Sequence, residues 1–518
     1  MKKFKCLYLL LLGIVCGLAF SACSCKDDDY DEPSLKVLNP ELSFAGTGGV
    51  QTINVQADAQ PTASVIEGAD WCSVAYKDQA AGTYNFDVTV AASQEDEVTT
   101  ATVRIILGDS RKDVTITRAK KGAVVTPDVP PADMNKTAME VAQLMYPGWN
   151  LGNTLEAGDS KNLWKNAGIA TETSWQSTKT TKQVIDFVKA QGFKSVRIPC
   201  SWVMGHITDA EKCTIDPAWM KRVKEVVDYC IKDGLYVIIN QHWDGGWIEH
   251  NGFTADTDVE GTKAKLTKIW TQIATAFKDY DEHLIFAGMN EPGVGGGTGT
   301  IIEVNELSNR LAEYEQTFIN AVRRVTGGNN ALRILVIQGP HTDIDDTMGN
   351  DYISKITDTA DNRLMMEVHF YGPYQFCQMT EDAYWGKQWY YWGKDNQSGD
   401  ADRTSKNNEE FVSAQMAKMK KTYVDKGIPV IIGEFGADQR FAIGKDALHD
   451  ASIRAYYKAV TEFAISNGCV PMVWDINAGK GMSMLNRTTL KIDNANMMDG
   501  ITAGVAAAKW PAKEKTRY

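Results

Sequence analysis

A chain of 518 residues is too long for one ordinary core and calls for two or three domains, one of them large. Its 43% hydrophobic content is that of a globular protein, and no apolar run after the first 22 residues is long enough to span a bilayer. A net charge of −12 without a basic stripe makes nucleic acid and anionic membrane surfaces poor partner candidates and is compatible with a neutral polymer.

At the start, Lys2, Lys3 and Lys5 precede an apolar run at 7–20 and the small pair Ser21-Ala22 before Cys23. These are the features of a secretory signal, so residues 1–22 are set aside from the fold. A Cys directly after such a site resembles the lipobox of bacterial lipoproteins, although Phe20 stands where that family usually has Leu and Cys25 rivals Cys23. In 23–34, an acidic anchor linker, Lys26-Asp27-Asp28-Asp29 resembles the surface-export signal of Bacteroidetes lipoproteins. The resemblance implies a lipid anchor on Cys23 and attachment to outer-membrane lipid facing the cell surface, with a periplasmic location as the alternative. A cleaved signal followed by a solvated charge run is the plainer reading. Of the ten cysteines, six lie beyond this region without metal-like spacing and read as buried thiols, with one bridge left open.

Residues 35–121 alternate apolar and polar positions, as in Val50-Gln51-Thr52-Ile53-Asn54-Val55 and Val114-Thr115-Ile116-Thr117, with Gly, Asp and Ser between the runs. Period-two strands at short spacing predict a small all-β, immunoglobulin-like sandwich. Gly48-Gly49, Trp71 and the closing Val114-Thr115-Ile116-Thr117-Arg118 resemble a BACON domain, which in Bacteroidetes carbohydrate hydrolases often stands between anchor and enzyme. Trp71 reads as core rather than as a sugar platform. Pro127, Pro130 and Pro131 then mark 122–133 as a semi-rigid linker.

From 134 to 518 strand and helix patterns alternate. Eight buried-strand runs fall at 148–151, 193–198, 235–239, 284–289, 332–337, 364–368, 429–432 and 470–474. Between them apolar residues recur at helical spacing, as in Trp219, Val223, Val226, Val227 and Cys230, with Asp216 as N-cap, Pro217 in the first turn and Gly234 past the end. The helix after strand five has the weakest pattern. Eight repeats without a Gly-rich dinucleotide loop predict an α/β fold of the (β/α)₈ TIM-barrel type.

In such a barrel chemistry gathers where strands end. Strand two ends with Arg197, strand three with His242, strand four with Asn290-Glu291-Pro292, strand six with His369 and Tyr371, strand seven with Glu434 and strand eight with Trp474. A carboxylate closing a buried strand is costly unless paired or used, and two facing carboxyls are what glycoside cleavage needs. A structural ion pair with Arg197 or a Lys is the plain alternative for either Glu alone, and a satisfied core position for either His. Trp243, Trp247, Tyr384, Trp385, Trp389, Tyr390, Tyr391 and Trp392 follow strands three and six, where rings could stack on sugar faces, and the loop at 374–408 is long enough to wall a cleft.

The motifs Gly148-Trp149-Asn150-Leu151-Gly152-Asn153-Thr154, Val196-Arg197-Ile198-Pro199, Met289-Asn290-Glu291-Pro292, Val368-His369-Phe370-Tyr371 and Gly433-Glu434-Phe435-Gly436 resemble, in this order, glycoside hydrolase family 5, the cellulase family. The resemblance covers the chain from Met134 onward. It implies retention of configuration with Glu434 as nucleophile and Glu291 as acid/base. Arg197 and Tyr371 would keep Glu434 ionised, Asn290 would bond the sugar 2-hydroxyl, His242 and His369 would shape the subsite, and Trp474 would be the floor on which the reacting sugar stacks. No cofactor or metal is implied. The opening motif resembles endo-β-1,4-glucanases acting on cellulose, mixed-linkage glucan and xyloglucan; a β-mannanase or xylanase is the alternative within the family, and a non-catalytic surface glycan-binding protein outside it. Ile476 departs from the more polar pattern expected after strand eight. A metal-dependent barrel hydrolase would want His-x-His at strand one, where Asn150-Leu151-Gly152-Asn153 stands. A monomer is expected.

Overall fold

The computed structural model describes residues 34–511, apart from 45, 47, 81, 82, 122–133, 296, 350, 441, 442 and 445. The signal, both candidate anchor cysteines and the Pro-rich linker lie outside the described residues. Among the described residues no helix is long and apolar enough to cross a membrane.

The N-terminal region folds as two four-stranded sheets. One orders Leu35–Val37, Gly49–Ala57, Thr83–Val90 and Cys72–Ala80; the other orders Glu41–Phe44, Ser110–Arg118, Thr99–Leu107 and Thr62–Glu67. Alternation along the strands sends Ile53, Val55, Phe86, Val88, Val103 and Ile116 into one core. Trp71 lies partly buried against that core with the Arg118 guanidinium 4.1 Å above its ring, so it is packed as expected and not presented as a platform.

The rest is a closed barrel of eight parallel strands: Gly148–Asn150, Ser195–Ile198, Tyr236–Asn240, Leu284–Ala287, Leu335–Gln338, Leu364–Phe370, Val430–Phe435 and Cys469–Val473, the last pairing back onto the first. Their outer faces join the helices in the main core, where Trp219, Val223, Val226 and Val227 pack. Ile238, Ile285, Val336, Met365, Ile431 and Met472 form a second apolar cluster, with Val141 and Met145 from the segment before strand one. Two residues further along three of these strands, on the same face, stand Asn240, Gln338 and Glu367, all wholly buried. The barrel therefore turns from apolar to polar toward its C-terminal mouth.

The helix between strands two and three runs Pro217–Lys232, with Asp216 accepting the Ala218 N–H at 2.9 Å and Gly234 at φ 68° beyond its end. After strand five the helix shrinks to Ile344–Gly349, which is why its periodicity was faint. Strand five begins at Leu335 rather than 332, because Leu332 is exposed and Arg333 donates to the carbonyls of Phe277, Tyr280, Asp281 and Leu284. Strands six and seven run on to Phe370 and Phe435, carrying His369 and Glu434 within the ladder. The six described cysteines are all buried and free.

The long connection after strand one is tied down by Glu172, whose carboxylate takes two bonds of 2.8 Å from Arg222 and one from the Thr180 N–H at 2.8 Å. Both partners are buried, so removing one strands a charge. Arg222→Met is expected to cost about 3–5 kcal/mol of unfolding free energy in denaturant titration; a loss below about 1 kcal/mol would place the pair with exposed ion pairs instead.

Candidate active site

The centre of the mouth is Arg197, fully buried on strand two. One guanidinium nitrogen donates to Glu434 Oε1 at 2.9 Å and to Asn150 Oδ1 at 3.0 Å. The other terminal nitrogen donates to Asn290 Oδ1 at 2.7 Å, and Nε lies 2.9 Å from Glu367 Oε1. Burial alone would discourage its charge, but Glu367 and Glu434 outweigh that and hold Arg197 more firmly protonated than usual.

Glu434, nearly buried, is gripped at both oxygens, since the Tyr371 hydroxyl donates to Oε2 at 2.9 Å. Burial and the Glu434 carboxylate push the Tyr371 phenol well above its usual range, so it remains an O–H donor. Glu291 is freer, with 27% of its side chain exposed, and its Oε1 accepts from His369 Nδ1 at 2.7 Å. An oxygen of Glu291, an oxygen of Glu434 and a ring nitrogen of His369 lie within 4.8 Å of one another. Carboxyls about 5–5.5 Å apart suit direct attack by one of them, whereas about 6.5–9.5 Å is needed to seat a water between carboxyl and substrate. The same three groups could converge on a cation, yet Arg197 and Tyr371 already occupy both Glu434 oxygens.

The two histidines are set in opposite states. Burial, with Arg197 and His369 nearby, drives His242 well below its usual range, and its Nδ1 accepts from the Asn240 amide at 3.1 Å. Burial also works against charge on His369, but Glu434, Glu291 and Glu367 overcome it and raise it to about 10. His369 is therefore an imidazolium bridging Glu291 and, at 3.4 Å, Glu367. The ring of Trp474, partly buried, lies nearly parallel to that of His242, 5.9 Å between centroids.

Of the residues picked from the sequence, Arg197, His242, Asn290, Glu291, His369, Tyr371, Glu434 and Trp474 thus converge. Trp247 is corrected: expected to stack on substrate, it is 7% exposed, donates its indole N–H to Asp244 at 3.3 Å and packs edge-on against Trp164. The buried Asp244 carboxylate also takes the N–H groups of Trp202, Val203 and Met204, drawing that loop inward. Trp392 likewise is core, whereas Tyr384 and Trp385 stand exposed. Trp243 is half-buried and, with Trp175 6.4 Å away, lines an open cleft of about 480 Å³ beside Asp159, Ser160 and Asn162.

Three contributors were missed. Glu367 lies inside an apolar run; burial pushes its carboxyl up, but Arg197 and His369 bring it below the usual range, and Gln338 donates to it at 2.6 Å. A Cβ on Gly433 would fall 1.9 Å from Glu367 Oε1, so the Gly before Glu434 is the space that Glu367 fills. Asn150, quoted only within a motif, bonds Gly433 O at 2.8 Å and ties strand one to strand seven. Glu249 accepts the Glu291 N–H at 2.9 Å.

The cellulase (glycosyl hydrolase family 5) model matches residues 159–480. A xyloglucan-specific endo-beta-1,4-glucanase of Bacteroides ovatus is 32% identical over 498 residues, covering 94% of this chain and 95% of that protein. The structure of a xyloglucan-specific beta-1,4-glucanase from a ruminal metagenomic library, in complex with XXLG, superposes with TM-score 0.66 at 43% identity, covering 74% of this chain and all of that one. A lichenase from Caldicellulosiruptor sp. F32 gives TM-score 0.62 at 31% identity over 71% of this chain and 95% of that one.

A charged His369 stabilises the fold fully below its ordinary value of 6.5, and that contribution is lost as pH rises through about 10. Melting temperatures of the wild type should therefore fall from neutral to alkaline pH more steeply than those of His369→Gln; parallel curves would contradict the assignment.

Proposed function

Because the chain belongs to glycosyl hydrolase family 5, we propose that it is a retaining endo-β-1,4-glucanase in which Glu434 is the nucleophile and Glu291 the acid/base. The observation that carries the assignment is the unequal support of the two carboxylates: Arg197 and Tyr371 bond both oxygens of Glu434, while Glu291 is partly exposed beside one histidine. In the first step a Glu434 oxygen bonds the anomeric carbon as the bond to the leaving oxygen breaks, and Glu291 gives that oxygen its proton. In the second step a water loses a proton to Glu291 and attacks the same carbon, releasing Glu434 as carboxylate. Asn290, fixed by Arg197, faces the sugar 2-hydroxyl, and Trp474 with neutral His242 floors the reacting subsite. The substrate is a β-1,4-glucan backbone, namely xyloglucan, mixed-linkage glucan or cellulose, which the Trp175 and Trp243 cleft extends along.

The finer reading is that an acylated Cys23 anchors the chain to the outer membrane, facing the cell surface, with a BACON-like sandwich as spacer ahead of the barrel. The lipobox-like residues and the acidic run support the anchor. The alignment with the Bacteroides ovatus protein, spanning nearly all of both chains, supports a shared domain arrangement.

Glu434→Ala should abolish sugar release from xyloglucan, barley β-glucan and carboxymethylcellulose while leaving the circular dichroism spectrum and glycan binding intact; retained turnover would sink the mechanism. In wild-type digests followed by proton NMR the first new reducing end should be the β anomer, and glucomannan or xylan should be slower than the glucans. Cys23→Ala should move the protein from the membrane to the soluble fraction; unchanged fractionation would point to Cys25 or to no anchor.

A further inference from the structure

Glu249 lies on the loop after strand three, outside any family motif read in the sequence, yet its side chain reaches the peptide of the acid/base. It is 3% exposed, and its Oε2 accepts the Glu291 N–H at 2.9 Å. Its backbone carbonyl accepts the Gly293 N–H at 2.6 Å. The contact continues beyond it: a Cβ on Gly297 would come within 2.3 Å of His250 and Asn251, Thr254 bridges Ile301, and the Ile302 N–H donates to Phe253 O at 2.9 Å. The loop after strand three is thus laid along the loop that carries Glu291, and Glu249 is its grip at the catalytic end.

Glu291 needs such a grip more than Glu434 does. Glu434 sits within a paired strand and is bonded at both oxygens, whereas Glu291 follows the end of its strand and has one side-chain partner. We propose that Glu249 is a positioning residue for the proton donor: by anchoring the Glu291 N–H, it fixes the acid/base against the glycosidic oxygen while leaving the nucleophile untouched. Burial first, then the Glu291 and Glu434 carboxylates, push Glu249 up to about 8, so near neutrality it performs this role while adding little negative charge to the site.

This reading rests on the assignment of Glu291 as acid/base, and leaving-group dependence tests it. A dinitrophenolate departs without protonation, whereas a phenolate or a sugar does not, so a misplaced acid harms only the second class. kcat/KM, which reports bond cleavage to the aglycone, is measured for 2,4-dinitrophenyl and phenyl β-cellotrioside and for β-glucan, with Glu249→Ala, Glu249→Met to keep the cavity filled, and Glu249→Gln to keep an acceptor. Ala and Met should lose about 10- to 100-fold on the phenyl glycoside and on β-glucan yet stay within about three-fold on the dinitrophenyl glycoside, and Gln should recover most of the loss. Equal losses on all substrates, no loss on any, or a Gln variant as poor as Met would each overturn the proposal, and if Ala does not fold the Met and Gln pair decides. A wild type that turns over no β-glucan would instead refute the enzyme assignment, an outcome distinct from any pattern among the Glu249 variants.

Discussion

A guanidinium buried at the mouth of the barrel is the constraint around which this site is organised. Taking an Arg out of water costs several kcal/mol, which only close anions and well-aimed acceptors offset. Arg197 finds both in Glu367, Glu434, Asn150 and Asn290, drawn from strands six, seven and one and from the end of strand four. Each of those residues is then fixed by the need to keep Arg197 satisfied. Glu367 in turn fills the space beside strand seven, and position 433 is left with room for no side chain. The register shift that His369 and Glu434 show against the preceding Val368 and Ile432 pair follows at the same place.

The charges close on themselves in a way that separates two chemically identical groups. Arg197 and the imidazolium of His369 face Glu367 and Glu434, and Glu249, pushed up to about 8 by burial and its neighbours, adds little negative charge near neutrality. His242, excluded from this balance by burial and by the two cations, remains neutral and lies parallel to Trp474. One histidine is thus charged within the carboxylate cluster and the other neutral beside Trp474, a division set by neighbours rather than by residue type.

What the sequence disclosed follows the same logic. Buried parallel strands read as apolar runs and their polar terminations read as chemistry, so Arg197, Glu291, His369 and Glu434 were legible from position alone. Glu367 was not, because a charge inside an apolar run has no local signature; it is explained only by a guanidinium four strands away in the order of the barrel. Glu249 was invisible for a related reason, its partner being a backbone N–H on another loop. Trp247 misled because an aromatic in a Gly-rich loop looks like a platform until Asp244 is seen to fold that loop into the core. Trp175, in the connection after strand one, drew no notice because its value lies in facing Trp243 across a cleft that no linear pattern encodes. Within the sandwich, the strand Thr62–Glu67 escaped notice because it lies at a sheet edge and buries no side chain fully.

On the proposed assignment, the difference in support between the two carboxylates matches a difference in what each must do over a catalytic cycle. A nucleophile forms and breaks one bond along one line, so a carboxylate clamped at both oxygens within a strand loses nothing by being rigid. An acid/base must first face the departing oxygen and then a water entering from the same side, and it exchanges its proton each time. Such a group needs one oxygen free, contact with solvent and a fixed root. Glu291 has its side chain partly open, one bond from His369, and a backbone pinned from below by Glu249. The hold on the two carboxylates is accordingly different in kind: both oxygens of Glu434 are bonded, whereas at Glu291 the anchor passes from the side chain to the peptide that carries it.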